Sequence, residues 1–468
     1  MPISSSASGA SRASGASSTR RPWRSAVHAI GFIFNDCSGV PTKGRLRAPG
    51  DIGVKIKKSR FLLLCACLTW GQARAHDGDS AGTFEPFTAN VEPVDGTFTP
   101  FVAAGGHYVS NLFAMPSAAF AQSAIGTTHL SDYFFTETAG TDVDWKEGRQ
   151  EVVGRLEATN TNYATYHVLD NTSHDIDMRW NWVLGDSLKG DVGVIHQTQL
   201  GDLTNIQAPI NDTFTNRQFY FDGQGKLADR WRMDLSARDM SFTNSALSQQ
   251  PFNLNIRTVS LGPEYYTDTG KSVAWVSELS NGGYPNVIFN GVAPVTDRFT
   301  QYDNGIKFEW GYLGKLRWSG NLNYTRYMAP NNPGQDFDGA TGTLNLLWAM
   351  TGKTNFTLSG YRNILPYDTA SASFQVVTGT SLTAHWQARE KLELVGRLKM
   401  DSVDYTQSAT IGPTPRHDRI DSAGVELAYT VLRHTRLVLS AQRLFRNSNI
   451  AADTYNENDV SLGLEQRF

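Results

Sequence analysis

The last nine residues of the chain place the tightest limit on its fold. Four apolar residues of this segment share one parity: Val460, Leu462, Leu464 and Phe468. The residues on the other parity are small, polar or charged: Ser461, Gly463, Glu465 and Arg467. Successive side chains of a β-strand point to opposite faces, so this pattern predicts a strand with one apolar face and one polar face.

Stretches near residues 231–238, 316–324, 392–401 and 437–442 repeat the same alternation. Strands of about ten residues with this period are typical of transmembrane β-barrels, in which apolar residues face lipid and polar residues face the lumen. The alternation predicts these lumen-lining residues: Arg232, Asp234, Arg238, Arg317, Asn321, Asn323, Glu393, Arg397, Lys399, Glu465 and Arg467. One interpretation is that they hydrate the wall and pair with one another. The other is that they contact sugar hydroxyls or carboxylates, or set ion selectivity.

Short turns recur about every forty residues, near positions 147, 185, 228, 269, 314, 352, 390 and 433, with longer polar stretches between them. Short periplasmic turns and long extracellular loops are characteristic of outer-membrane barrels. Eight short turns and two flanking strands predict about 18 strands, with 16 as the alternative. The predicted fold is therefore all-β, a transmembrane antiparallel up-and-down barrel over residues 97–468. A barrel of this size has an aqueous lumen unless it is plugged.

Composition agrees with a barrel that spans the outer membrane. Only 40% of residues are hydrophobic and the mean hydropathy is −0.35, because lipid contacts only alternate strand residues. The first 75 residues hold 12 of the 42 basic and 2 of the 45 acidic residues, so residues 76–468 carry a formal charge of −13. This balance argues against nucleic-acid binding.

The N-terminal part is predicted to be removed or to lie outside the barrel. Residues 1–53 are rich in Ser, Ala, Gly and Arg, which indicates an unstructured extension or a mis-set start codon. Residues 54–75 have a basic segment, an apolar segment and the cleavage motif Ala73-Arg74-Ala75, as a signal peptide does. Residues 76–96 are acidic and are predicted to be a periplasmic lead-in. The three cysteines, Cys37, Cys65 and Cys67, all precede residue 76.

No catalytic or metal-binding motif stands out. The histidines are scattered without metal-ligand spacing, and neither a nucleophile elbow nor a phosphate-binding loop is present. His174-Asp175 and His417-Asp418 are the nearest approach to an enzymatic pair. We therefore expect a non-enzymatic protein with no metal and no cofactor. Trp and Tyr residues are expected at the membrane interfaces more than as sugar-stacking platforms.

Phe468, as a terminal aromatic residue on an amphipathic strand, resembles the signal read by the barrel-insertion machinery of the bacterial outer membrane. Two further stretches are similar to EpsL-type outer-membrane proteins of exopolysaccharide operons, a branch of the β-barrel porin group, and the resemblance covers roughly residues 97–468. They are residues 98–113 and the run from Gly148-Arg149-Gln150 through Trp180-Asn181-Trp182 to Leu188-Lys189-Gly190-Asp191. The usual Asp-Asn of that family is Ser110-Asn111 here. The resemblance singles out Gly148, Arg149, Gln150 and Asn111.

The resemblance implies a porin associated with exopolysaccharide synthesis or export, with the polysaccharide and periplasmic export components as partners besides outer-membrane lipid. Two alternatives stay open. A general diffusion porin for small solutes would have a long loop folded into its lumen. A structural or assembly barrel would have a closed lumen and would dock a periplasmic partner through residues 76–96.

Overall fold

A computed structural model describes residues 97–286, 297–312, 314–330, 336–366, 374–406 and 415–468. The chain forms one closed antiparallel sheet of 18 strands, each paired with its neighbours in sequence, and β1 also pairs with β18. The prediction of an 18-stranded barrel is confirmed, and the alternative of 16 strands is wrong. The predicted extension, signal peptide and lead-in, including the cleavage residue Ala75, lie outside the described residues.

The strands are 12 to 16 residues long, which is enough to cross a bilayer at a tilt. Their bounds are β1 Phe98–Val109, β2 Asp132–Glu147, β3 Gln150–Tyr163, β4 Asn171–Leu184, β5 Leu188–Leu200, β6 Thr213–Ala228, β7 Trp231–Asn244, β8 Leu254–Tyr266, β9 Ser272–Tyr284, β10 Asp297–Tyr312, β11 Leu316–Met328, β12 Phe337–Trp348, β13 Thr354–Pro366, β14 Phe374–Arg389, β15 Leu392–Tyr405, β16 His417–Leu432, β17 Thr435–Ser448 and β18 Tyr455–Arg467.

Among the described residues, helical structure lies only in the loops on the long-loop side. Helix α1 spans Ala118–Ile125 and is capped by Ser117, and the single turn α2 spans Leu203–Ile206 and is capped by Asp202. Three-residue 3₁₀ turns lie at His167–Leu169, Gln250–Phe252 and Ala451–Asp453. None of the described helices is long and apolar enough to cross a membrane.

Every predicted short turn joins two strands at the same end of the barrel, which the general asymmetry of such barrels assigns to the periplasm. Several of these turns use a glycine with positive φ, for example Gly148 at 61° and Gly185 at 60°. Glycine is favoured there because it lacks the Cβ that disfavours this region. The tight turns fix the strand register, which puts alternate residues on the lipid face.

The outer face carries a one-sided ring of tryptophans. All nine tryptophans of the described residues belong to the outward parity and lie no more than four residues from a periplasmic strand end. They are Trp145, Trp180, Trp182, Trp231, Trp275, Trp310, Trp318, Trp348 and Trp386. Tryptophan prefers the membrane–water interface, so this ring marks the periplasmic boundary of the bilayer.

The inner face carries different residue types along the barrel axis. Its periplasmic half carries charged side chains, whereas its extracellular end carries three clusters of buried apolar residues. One cluster includes Phe242 and Phe299 from the wall β6–β11, the second includes Val403 and Leu444 from β15–β17, and the third surrounds Phe113 in the loop after β1. A packed apolar core therefore lies inside the extracellular mouth of the barrel.

Candidate functional site in the barrel lumen

The eleven predicted lumen residues lie on the inward parity of β7, β11, β15 and β18. Their sequence neighbours on the opposite parity, such as Trp231, Leu322 and Leu398, are exposed on the outer face. Within the periplasmic half they do not form one cluster but are spread around the wall. Asn321 also accepts a backbone hydrogen bond from Thr343 at 3.1 Å, so it supports the β11–β12 ladder.

Each predicted lumen cation has an acidic neighbour. Arg232 pairs with Glu264, and its Nε also lies 3.8 Å from Asp234; Arg317 pairs with Glu309. The other pairs are Arg238–Asp222 at 3.1 Å, Arg397–Glu426 at 3.2 Å, Lys399–Asp401 at 2.7 Å and Arg467–Glu465 at 2.6 Å. Pairing offsets the desolvation of charges that leave bulk water. Arg238 is almost fully buried, but the side chain of Arg397 is 43% exposed, so Arg397 is available to a solute and Arg238 is not.

A charge network crosses the seam where the barrel closes. Asp142 on β2 accepts from Arg155 on β3 at 2.7 Å and from Arg467 on β18 at 2.7 Å. The ring of Phe101 on β1 lies between the two arginines, 4.9 Å from the guanidinium carbon of Arg155 and 5.9 Å from that of Arg467. Four strands are therefore joined by side chains on the inner face.

A second group of paired charges lies further along the wall, on β14, β15 and β17. Glu393 binds the ring of His385 at 2.6 Å and the guanidinium of Arg436 at 3.4 Å. Asp142, Arg155 and Arg436 were missed among the predicted lumen residues. The signal that could have found Arg436 is its parity, because it alternates with Leu437 and Leu439 as Glu393 does with Leu392 and Leu394.

The loop after β1, residues 110–131 and here called L1, folds against the inner face. Phe113 and Ala114 are fully buried and Met115 nearly so. Asn111 holds the bend: its amide oxygen accepts from Met115 N at 3.0 Å, and its amide nitrogen donates to Met115 O at 2.8 Å and to Asn456 O at 3.1 Å. Asn111 therefore fixes L1 to the start of β18.

Other loops fasten L1 at the mouth. Gln207, beside α2, donates to Ala114 O at 3.2 Å and to Ala452 O at 3.4 Å. The ring of Phe113 packs edge-on against Tyr166 with centroids 4.8 Å apart. These contacts join L1 to the loops after β3, β5 and β17, so L1 narrows the lumen near its extracellular end.

The motif around Gly148 lies at the periplasmic rim. Gly148 occupies the turn between β2 and β3, and Arg149 pairs with Asp186 of the next turn at 3.2 Å, with both side chains largely exposed. Gln150 donates to Val183 O and accepts from Trp180 Nε1, each at 3.1 Å. Arg149 and Arg232 both line a cavity of about 260 Å³ at this rim.

The terminal residue Phe468 completes the closing ladder. Its backbone nitrogen donates to Pro100 O at 2.9 Å, while its side chain is 62% exposed. The ring is therefore available to lipid or to a partner at the periplasmic end. None of the described contacts tests its role as an assembly signal, which stays a prediction.

The two His-Asp sequence pairs do not form catalytic dyads. Consecutive strand residues point to opposite faces, so His174 and Asp175 diverge, as do His417 and Asp418. His417 instead binds Asp404 at 2.7 Å on the outer face. Within the described ranges, no group of three metal-ligating side chains is present. The expectation of a protein without enzymatic activity stays a prediction.

Comparison with known proteins relates the C-terminal part of the sequence to β-barrel porins. Residues 332–468 match the family model described as "Putative beta-barrel porin 2". No curated protein matches the sequence. The match covers the final strands, β12 to β18, which include the amphipathic C-terminal strand.

Solved structures with a similar fold include OccAB3 of Acinetobacter baumannii, at 10% identity and a TM-score of 0.43, covering 79% of this chain and 99% of that one. A BenF-like porin of Pseudomonas fluorescens Pf-5 has 11% identity and a TM-score of 0.45, with 79% and 99% covered. OccK2 (OpdF) of Pseudomonas aeruginosa has 11% identity and a TM-score of 0.45, with 79% and 98% covered. A closed sheet, an apolar exterior and an aromatic ring make this protein an 18-stranded transmembrane β-barrel of the bacterial outer membrane, whose C-terminal part is similar to a family of β-barrel porins.

Proposed function

We propose that the protein is a channel for small polar solutes across the outer membrane. The observation that carries the proposal is the inward fold of L1, with Phe113 and Met115 buried inside the mouth of an 18-stranded barrel. Barrels of this strand number have a wide lumen, so a packed segment at the mouth limits the size of what passes.

The charged periplasmic half supports a polar rather than an apolar solute. Its cations are paired, and partly exposed groups such as Arg397 remain near water. Partly exposed carboxylates such as Asp142 and Glu151 also have the inward parity, and residues 76–468 carry a formal charge of −13. Fixed charges of one sign in a pore attract mobile ions of the other sign. We therefore expect the channel to prefer cations to anions.

Passage or support of an exopolysaccharide is the second candidate. Support for it comes from the similarity of residues 98–113 and 148–191 to EpsL-type proteins, and from inward amides such as Asn323 that suit sugar hydroxyls. Within the described strands, every tryptophan faces outward, so none offers a stacking surface to a sugar in the lumen. The packed mouth also favours small solutes over an extended glycan.

Swelling of liposomes that contain the protein refolded from residue 76 tests the proposal. Neutral sugars from a monosaccharide to a hexasaccharide are applied, followed by the polysaccharide of the host. We expect fast swelling with the monosaccharide and a steep fall with size. Equal rates across the series, or channel block by the host polysaccharide alone, would favour polysaccharide passage. No permeation of any sugar or salt would overturn the channel and favour the structural barrel.

A further inference from the structure

The wall of the barrel is split between β12 and β13. Both strands continue toward the extracellular end, but their pairing stops at Gly342 and Arg362. Residues 337–341 and 363–366 form no ladder with each other, although all of them are described. On their other sides the strands stay paired, up to Tyr327 with Phe337 and Pro366 with Phe374. Backbone groups in a membrane barrel are normally paired, so this gap is unusual.

The β13–β14 edge has curled into the lumen at this gap. Phe374 and Val376 share the outward parity of Thr378 and Trp386, which are exposed, yet both are buried. The ring of Phe374 lies 4.7 Å from that of Tyr327, an inward residue of β11. A residue of outward parity can meet the inner wall only if its strand has moved inside that wall.

The opposite face of the same edge packs against the other wall. Val377 and Leu365 pack in the cluster formed by Val403, Leu444 and other inward residues of β15–β18, together with Ala114 of L1. The ends of β13 and β14 therefore separate the two apolar clusters that fill the mouth. The curled edge and L1 together occupy the extracellular end of the lumen.

The inward position leaves a polar group without a partner. Gln375 on β14 is fully buried, and both polar atoms of its amide lack a hydrogen-bond partner in the structure as described. An unpaired buried amide is unfavourable, as are unpaired strand edges in a membrane. The packed state thus combines favourable apolar burial with two costs that an outward movement would relieve.

Gly342 forms a hinge where β12 stops pairing with β13. Gly342, the last paired residue of β12, has a φ of 146°, which favours glycine. A Cβ at this position would lie 2.2 Å from Asn321 O, so only glycine fits the bend. The local backbone is therefore built to let β12 leave the regular ladder at this point.

We propose that the β13–β14 edge is the gate of the channel and swings between the lumen and the wall. In the outward state the ladder would extend past Gly342 in the same register. Thr341 would pair with Asn363, Ala340 with Ile364 and Gly339 with Leu365. The wall would then close fully and the apolar contents of the mouth would separate, which opens the lumen. This inference rests on the proposed channel function and names the element that regulates it.

The test is a disulfide that captures the outward state. Residues 76–468 contain no cysteine, so the double variant A340C/I364C refolded from residue 76 has only the two new thiols. Directly opposed residues of an antiparallel pair have the short Cβ separation that a disulfide needs. The control is L344C/G360C, because Leu344 and Gly360 are already opposed in the existing ladder. Both variants are oxidised in vesicles and single-channel conductance is recorded before and after reduction.

We expect the A340C/I364C disulfide to form and to raise the conductance severalfold, with reversal by dithiothreitol, while the control disulfide forms without effect. The gate is overturned if the control pair oxidises and A340C/I364C does not, or if its disulfide forms and conductance stays the same. Substantial conductance that is the same before and after reduction would contradict the gate but not the channel function. Absence of conductance in wild type and in both oxidised variants would remove the channel function itself.

Discussion

Phe101 and Arg467 face each other across the ladder that joins the first and last strands of the barrel. Arg467 also binds Asp142, whose two carboxylate oxygens both accept hydrogen bonds from Arg155. The aromatic ring and the shared carboxylate connect β18, β1, β2 and β3 on one face. The closure of the barrel therefore depends on side chains as well as on backbone pairing.

Asp142→Asn should weaken this seam. The substitution leaves Arg155 and Arg467 without their shared charge and should lower the free energy of unfolding by about 2 kcal/mol, since charge-assisted hydrogen bonds each contribute about 1.5–3 kcal/mol and Asp142 keeps partial exposure. Urea unfolding in vesicles measures the change. Asp144→Asn on the same strand is the control, because Asp144 pairs with Lys146 at an exposed site and its loss should have little effect. Equal loss in both variants would contradict the role of the seam.

Asn111→Asp should loosen L1 while keeping the size of the side chain. The carboxylate can still accept from Met115 N, but it cannot donate to Met115 O or Asn456 O and is repelled by both carbonyls. We expect faster cleavage of L1 by added protease and a higher channel conductance, with strand content unchanged by circular dichroism. Ser123→Ala on the exposed face of α1 serves as the control. Unchanged protease resistance would show that Asn111 does not hold the loop.

Arg397 and Arg238 should respond differently to the same change to glutamine. Arg397 is partly exposed, so Arg397→Gln should increase selectivity for cations, and it should also cost about 1–2 kcal/mol because the buried Glu426 loses this partner. Arg238 is buried beside the partly exposed Asp222, and Arg238→Gln should cost about 2 kcal/mol without a change in selectivity, because Asp222 loses a charge-assisted hydrogen bond. Reversal potentials in a salt gradient and urea midpoints separate the two effects. A selectivity change in Arg238→Gln without destabilisation would reverse this assignment.

Gln150→Ala should destabilise the barrel more than Arg149→Ala does. The ion pair of Arg149 with Asp186 is exposed, so its loss should cost at most about 0.5 kcal/mol. Gln150 links β3 to Val183 and Trp180 of β4, and its loss should cost about 1–2 kcal/mol. Thermal unfolding of the refolded barrels compares them. A loss of transport in Arg149→Ala at full stability would instead give Arg149 a functional role.

Phe468→Ala should impair assembly in cells without preventing folding from urea. The side chain of Phe468 is mostly exposed, whereas its backbone nitrogen completes the ladder whatever the residue. We expect less protein in the outer membrane and more in periplasmic degradation products, but a normal yield on refolding into detergent. Normal cellular assembly would show that the terminal ring is not read by the insertion machinery.

Sequence alternation predicted the number of strands, the short turns and the face of residues such as Arg232 and Leu464, because each depends on local period and turn chemistry. Alternation alone does not describe Phe374 and Val376. Their parity places them toward lipid, but the strand end that carries them has moved inside the barrel. Parity determines the face of the strand on which a side chain lies. It does not determine whether that strand end lies in the wall or inside the lumen.

The contacts of the lumen were predictable only in part. That inward cations pair with carboxylates follows from the cost of unpaired charge, but one partner of Arg467, Asp142, is 325 residues away. Such a pair arises only when the barrel closes. The role of Asn111 in holding L1 likewise depends on Asn456, which belongs to the other end of the chain.

The one-sided ring of tryptophans has a spectroscopic consequence. Because every described tryptophan lies near the periplasmic boundary, intrinsic fluorescence of the protein refolded from residue 76 reports on one leaflet only. Quenchers placed in the periplasm-facing leaflet should extinguish the emission, and quenchers in the opposite leaflet should leave it almost unchanged. The emission should also be insensitive to conformational changes at the extracellular mouth. Leaflet-selective quenching can therefore report the orientation of barrels in a vesicle whether the mouth is open or closed.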